Sequence, residues 1–130
     1  MDGAWRADAQ RILNDLQERM TARDLPGLLQ LFEDPAVLIG TAGDGRTPAA
    51  REAYLEAVTT QTGAVRWDWR ETVAFFESED ALGFAAFGDV VVVEDTQELR
   101  APIRATFFAV RASSGWRLRQ FHGSTPQSPN

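Results

Sequence analysis

The chain has 130 residues, of which 44% are hydrophobic and 25% charged, and its 19 acidic against 13 basic residues give a formal charge of -6. These values are typical of one soluble globular domain. Cysteine is absent, every basic residue is an arginine, and His122 is the only histidine. The sequence therefore excludes thiol nucleophiles, Schiff-base lysines, disulfides and metal sites that need two imidazoles from one chain.

The acidic balance also bears on partners and location. The arginines are scattered among carboxylates, whereas phosphate backbones are bound by clustered basic residues. No stretch reaches the roughly 20 apolar residues of a membrane span, and the N-terminus lacks a basic region followed by an apolar run. We therefore expect a cytoplasmic protein that binds neither nucleic acid nor membrane.

Three helices are predicted in the first half of the chain. In the first, apolar residues recur at steps of three and four: Trp5, Ala9, Ile12, Leu13, Leu16 and Met20. Asp24 caps a short second helix, which ends at Glu33-Asp34-Pro35. A brief apolar strand at residues 36–39 and a glycine-rich loop at residues 40–46 then lead to a third helix capped by Thr47.

From Val65 onward the hydrophobic period changes from 3.6 to 2, which predicts strands. Four long strands are predicted, at residues 65–75, 82–93, 99–111 and 116–124. Helices followed by antiparallel strands make an α+β domain over residues 1–124, with the helices closing one side of a curved sheet. The tail of residues 125–130, rich in Pro, Ser and Gln, is expected to be disordered.

Four segments between Ala7 and Ser124 carry a family resemblance. They are Ala22–Leu38, Ile39-Gly40-Thr41, Arg104-Ala105-Thr106, and Trp116-Arg117-Leu118 with His122-Gly123-Ser124. In this order and spacing they resemble the SnoaL-like branch of the nuclear transport factor 2-like superfamily. Two positions depart from the family pattern: Gln120 stands where relatives often carry a histidine, and Ala50 where they often carry a glycine.

The resemblance implies a cone-shaped fold in which three N-terminal helices pack on a curved, mostly antiparallel sheet and enclose a pocket. It also implies a homodimer formed through sheet surfaces. Relatives include polyketide cyclases, ketosteroid isomerase, scytalone dehydratase and limonene epoxide hydrolase, alongside members that only bind ligands or mediate assembly. Fold likeness of this breadth implies no single reaction.

His122 is the first candidate catalytic residue, because histidine is the side chain best suited to exchange protons near neutral pH. It falls on the same predicted strand face as Trp116, Leu118, Gln120 and Ser124. The apolar start of this face indicates that it points inward, with His122 as an acid or base and Gln120 as a ligand contact. The alternative is a structural histidine bonded to a backbone carbonyl or a carboxylate.

Glu71 is the second candidate catalytic residue. Strict alternation places it on an apolar strand face with Trp67, Trp69, Val73 and Phe75. An inward carboxylate needs an arginine, a histidine or a ligand beside it, and Glu71 could then serve as an acid or base or as the counter-charge of His122. Alternatively, it lies where the sheet opens to solvent, or at a dimer contact.

Aromatic side chains are the candidate ligand contacts. Trp67, Trp69, Tyr54 and Phe32 together could line a pocket for an apolar or aromatic molecule. The same residues could equally form ordinary core or a subunit interface.

Arg104 is the remaining candidate. It alternates with Thr106, Phe108 and Val110 on one face of its predicted strand, and the opposite face is also apolar. Since neither face suits water alone, we expect one to meet the helices and the other a partner subunit, which favours a homodimer. Arg104 is then either an anion anchor in the pocket or part of an ion pair at the interface.

Two functions are compatible with these patterns. The first is binding of a small hydrophobic molecule in the cone pocket, with cofactor-free isomerisation, dehydration or cyclisation as the chemistry that a dry acid/base site supports. The second is a non-catalytic dimerisation or interaction module with a filled core. A metal enzyme is disfavoured because no carboxylates stand at ligand spacing from His122, so we expect neither metal nor cofactor.

Overall fold

A computed structural model of the chain describes residues 3–41 and 43–126. It contains the helices α1 (Ala4–Thr21), α2 (Leu25–Gln30) and α3 (Pro48–Thr60). The strands are β1 (Phe32–Ile39), β2 (Asp44–Gly45), β3 (Ala64–Glu77), β4 (Ala81–Glu94), β5 (Gln97–Ala112) and β6 (Gly115–Ser124). The predicted α+β class is confirmed. Residues 127–130 of the predicted tail and Ala42 of the predicted loop lie outside the described residues.

The strands form one sheet in the order β2-β1-β6-β5-β4-β3. Every pairing is antiparallel except that of β1 with β6, so the sheet is mostly antiparallel, as expected. The expectation of three N-terminal helices holds only in part. Helices α1 and α3 are long, but α2 has 6 residues and α3 follows two strands.

The helix starts follow the predicted caps. The Asp24 carboxylate accepts a hydrogen bond from the Gly27 N–H at 3.0 Å, and the Thr47 hydroxyl accepts one from the Ala50 N–H at 3.2 Å. The end of α2 differs from the prediction. The chain enters β1 at Phe32, because the backbone forms a hydrogen bond with β6 there: the Leu118 N–H donates to the Leu31 carbonyl at 2.6 Å.

One face of the sheet, called the inner face, packs against the helices and carries the core. Its buried residues include Leu82, Phe84, Ala86, Ala105, Phe107, Ala109, Trp116 and Leu118. Phe84 and Phe107 stack with ring centroids 4.7 Å apart. Across from them, α1 packs its apolar stripe against β3 and β4. Each such aromatic stabilises the fold by about 1.5–3 kcal/mol through burial.

β-Bulges in β3 and β6 decide which residues reach the opposite, outer face of the sheet. In β3, Trp69 pairs with Gly88 but Glu71 pairs with Phe87, so Arg70 is an extra residue. In β6, Leu118 pairs with Ala109 but Gln120 pairs with Phe108, so Arg119 is an extra residue. An extra residue reverses the inward and outward alternation as far as the next bulge, which in β3 is at Phe75, between Ala74 and Phe76.

Candidate functional site

A cavity of about 280 Å³ lies between the helices and the inner face. The helices contribute Leu16, Met20, Tyr54, Leu55 and Val58, and the strands contribute Phe32, Leu38, Val65, Trp67, Val90, Val92, Ile103, Phe121 and Gly123. The interior is therefore not completely filled by its own side chains.

Three of the lining residues have polar side chains: Thr41, Tyr54 and Gln61. Among the described residues, no Asp, Glu, Arg or His belongs to the lining. A cavity without a charged partner disfavours an ionised ligand, because a charge removed from water costs several kcal/mol unless it is paired. The cavity is thus suited to a neutral molecule with one or two polar groups.

The loop after β1 closes on the side chain of Tyr54. The Gly40 N–H donates to the Gly43 carbonyl at 2.8 Å, which folds the loop back on itself. A Cβ atom on Gly40 would lie 1.8 Å from the Tyr54 hydroxyl, whereas one on Gly43 would lie 3.5 Å from the Tyr54 ring. Gly40 is therefore required because the loop backbone passes close to the Tyr54 hydroxyl. From the sequence alone, a glycine in this glycine-rich loop could equally have served only to give the backbone conformational freedom.

Three of the predicted ligand contacts line the cavity: Trp67, Tyr54 and Phe32. Trp69 does not. It stacks on Trp67 at 6.4 Å and meets the edge of Phe107 at 6.3 Å, within the hydrophobic core. Its indole Nε1 is buried and has no hydrogen-bond partner among the described residues.

His122 and Gln120 lie outside the cavity, on the outer face. The bulge at Arg119 reverses the alternation of β6, so the prediction that both share the inward face of Leu118 is wrong. His122 is exposed, and the Gln120 side-chain amide donates to the Thr106 hydroxyl at 3.0 Å.

Arg104 lies beside His122 in a shallow cleft of about 230 Å³ on the outer face, together with Phe87, Thr106 and Ser124. Its guanidinium Nε donates to the Ser124 hydroxyl at 3.2 Å. Arg104 is exposed, so it does not reach the cavity between the helices and the sheet.

Glu71 also lies on the outer face and is exposed. The bulge at Arg70 places it beside Phe87 rather than with Trp67 and Trp69, so its predicted place on the aromatic inward face is wrong. Glu71 stands on β3 and His122 on β6, with two strands between them. The structure therefore does not bring these two predicted catalytic residues together.

A charge ladder crosses the outer face next to Glu71, and its members are Arg66, Asp68, Arg70, Asp89, Glu98 and Arg100. Its ion pairs join residues of β3, β4 and β5 across neighbouring strands. Hydrogen bonds from Arg66 and Arg100 hold the pKa of Asp68 below its usual value, and those from Arg70 and Arg100 do the same for the pKa of Asp89. The same carboxylates raise the pKa of Arg100.

The buried Arg51 was missed by the sequence prediction. Its side chain is only 4% exposed and donates to the Ala36 carbonyl at 2.9 Å and to the Asp34 carboxylate. These bonds tie α3 to β1, whose residues Phe32 and Leu38 line the cavity. The signal in the sequence is the spacing of four residues between Arg51 and the buried Leu55.

Two further features concern residues 3–41 and 43–126. No group of three or more His, Asp or Glu side chains there is arranged to hold a metal ion. No helix in the same ranges is long and apolar enough to cross a membrane.

Several solved structures share this fold. A proposed calcium/calmodulin dependent protein kinase II association domain from Xanthomonas campestris superposes with a TM-score of 0.85 at 14% identity, covering 98% of this chain and 91% of that one. A proposed dehydratase of the NTF2-like family from Streptomyces avermitilis has a TM-score of 0.82 at 12% identity, with 94% and 96% covered. An NTF2-like protein of unknown function in nutrient uptake from Rhodospirillum rubrum has a TM-score of 0.71 at 23% identity, with 92% and 99% covered.

These identities show the fold alone, which is an NTF2-like α+β fold with a mostly antiparallel sheet. No curated protein matches the sequence. The sequence model of the SnoaL-like domain family matches residues 10–128, nearly the whole chain. The chain therefore belongs to the SnoaL-like domain family.

Proposed function

We propose that the protein binds a small, uncharged, mainly apolar molecule in the cavity between its helices and its sheet. The observation that carries this proposal is the cavity of about 280 Å³ with an almost wholly apolar lining. A dry apolar cavity of about 150 Å³ is large enough to bind benzene. The cavity of this protein therefore suits a molecule of one or two rings, or an aliphatic cage of similar size.

The polar lining residues indicate how such a molecule would be oriented. Thr41 and Gln61 can each donate and accept hydrogen bonds, and Tyr54 adds a phenol at the same cavity. A ketone, an aldehyde or an alcohol offers a neutral group for these contacts. A carboxylate would be left without a cation among the described lining residues.

Acid/base isomerisation, dehydration or cyclisation by His122 and Glu71 has less support. A catalytic acid or base must lie within hydrogen-bond reach of the reacting group, and both residues stand on the other side of the sheet from the cavity. The proposed function is therefore ligand binding. A dehydratase activity is proposed for the Streptomyces avermitilis protein, and at 12% identity it is not carried over to this chain.

A homodimer through the outer face is proposed as well. Exposed large apolar side chains there include Val73 at 46%, Phe75 at 59%, Phe76 at 47% and Phe87 at 40%. Such a patch on one sheet face is typical of an association surface. We expect analytical ultracentrifugation to give the mass of two chains. The cavity on the other side argues against the alternative of a module with a filled core.

Binding is tested by calorimetric titration with adamantan-2-one, an uncharged apolar ketone. Val58→Phe places a phenyl group in the lining and is expected to weaken binding at least about tenfold, because it takes up the space of the ligand. Val37→Phe is the matched control, since Val37 is 37% exposed and does not line the cavity. Equal affinity in Val58→Phe and wild type would contradict the proposed site.

A further inference from the structure

The outer face contains charges that differ in how they are paired. In the charge ladder every member has a partner of opposite sign within 4 Å. Glu71, Arg104 and His122 lie just beyond it, and none of them forms an ion pair with any described residue. Exposed apolar side chains lie on the same face: Phe87 lines the cleft of Arg104 and His122, and Val73 follows Glu71 by two residues on β3. The chain thus leaves opposite charges unpaired on its most apolar surface.

The register of the sheet places two of these charges symmetrically. Glu71 on β3 pairs with Phe87 on β4, and Phe87 pairs with Arg104 on β5. Since neighbouring strands lie about 4.8 Å apart, Glu71 and Arg104 flank Phe87 at backbone positions roughly 10 Å from each other. A two-fold axis running along β4 in the plane of an interface would exchange the two flanks.

We propose that two copies of the chain pack outer face against outer face about such an axis, with Glu71 of each copy paired to Arg104 of the other. This inference rests on the proposed homodimer and adds its axis and its specificity contacts. Phe87 then meets its own symmetry mate at the centre. The symmetry makes two identical ion pairs, as an isologous interface requires.

Local contacts prepare the surface for this pairing. The hydrogen bond from Arg104 to Ser124 fixes its guanidinium beside the cleft of about 230 Å³, which the partner's Glu71 then enters. The bulge at Arg70 turns Glu71 outward to the same face. In an interface closed by phenylalanines, an unpaired carboxylate or guanidinium would lose its water without compensation, so mismatched charges oppose association.

The pairing is tested by charge exchange, with the dimer dissociation constant measured by sedimentation equilibrium. Arg104→Glu and Glu71→Arg are each expected to raise this constant at least about tenfold, because each gives the face charges of one sign. The double variant carries both exchanges and is expected to dimerise nearly as well as wild type. Arg46→Glu is the control, since the Arg46 side chain is 77% exposed in a loop before α3.

Each outcome distinguishes the pairing from the homodimer itself. A monomeric wild-type chain would overturn both. A dimeric wild type whose single variants dimerise normally, or whose double variant is as weak as the singles, would overturn the pairing and leave the homodimer. Should a reversed charge prevent folding, Glu71→Gln and Arg104→Gln are expected to weaken the dimer and reduce its salt dependence, and unchanged values would again overturn the pairing.

Discussion

At the scale of single residues, the cavity depends on how closely the loop after β1 approaches Tyr54. Gly40 and Gly43 stand three positions apart in one loop, but their surroundings differ. A methyl group at Gly40 would overlap the Tyr54 hydroxyl at 1.8 Å, whereas at Gly43 it would make an ordinary contact at 3.5 Å. The two glycines therefore form a matched pair for testing whether the position of Tyr54 matters.

Gly40→Ala is expected to displace the Tyr54 ring and to lower the free energy of unfolding by about 1–3 kcal/mol, the usual cost of overpacking. It should also weaken binding of adamantan-2-one, because Tyr54 lines the cavity. Gly43→Ala is expected to change stability by less than about 0.5 kcal/mol. Urea denaturation measures both variants, and equal destabilisation by the two would show that the Tyr54 contact is not the cause.

At the scale of secondary-structure elements, the sequence predicts most of the fold. It does not predict which residues of β3 and β6 face inward and which face outward after a bulge. Asp24, Thr47 and the change of period at Val65 locate the helices and the sheet, because capping and alternation are local signals. A bulge is set by the partner strand, so nothing local distinguishes Arg70 or Arg119 from paired residues.

Because bulges have no local sequence signal, some candidate site residues were predicted on the correct face of the sheet and others were not. Trp67, Tyr54 and Phe32 could be predicted as cavity residues, because each precedes the bulge of its strand or lies on an element without one. Glu71 and His122 follow a bulge, and both were predicted on the wrong face. The buried Arg51 could not be assigned from residue type, since arginine on a helix is usually exposed.

The charge ladder predicts a pH dependence of stability. The pKa values of Asp68 and Asp89 are lowered in the folded chain relative to about 4 in the unfolded one. A carboxyl group with a lowered folded pKa stabilises the fold above its unfolded pKa, and this contribution is lost as the pH falls through the folded pKa. Stability should therefore fall as the pH is lowered below about 4.

Asp89→Asn removes one of these carboxylates. The variant is expected to be less stable than wild type at pH 7, and the difference should shrink at pH 3, where the wild-type ladder is losing its charge. Asp95→Asn in the exposed turn before β5 is the control, since Asn also tolerates the positive φ of 56° at that position. Chemical denaturation across this pH range measures the effect, and a pH-independent difference for Asp89→Asn would count against it.

At the scale of the whole molecule, the two faces of the sheet differ in chemistry, and the proposed ligand site and the proposed dimer surface rest on this difference. The inner face and the helices line an apolar cavity without a described charged residue, and the outer face carries exposed phenylalanines and unpaired charges. The apolar character of both faces of β5 was readable from the sequence, since Arg104 and Phe108 alternate with Ile103 and Phe107. Which residues of β3 and β6 lie on which face depended on the bulges.

The face of the sheet that binds the ligand can be identified by mapping changes in backbone amide and indole chemical shifts during a titration with adamantan-2-one. We expect the largest changes at the cavity lining, including the Trp67 indole, Tyr54 and Phe121, and little change at Phe87 or His122. The largest changes at Phe87, Arg104 and His122 would place the ligand on the outer face and contradict binding in the cavity.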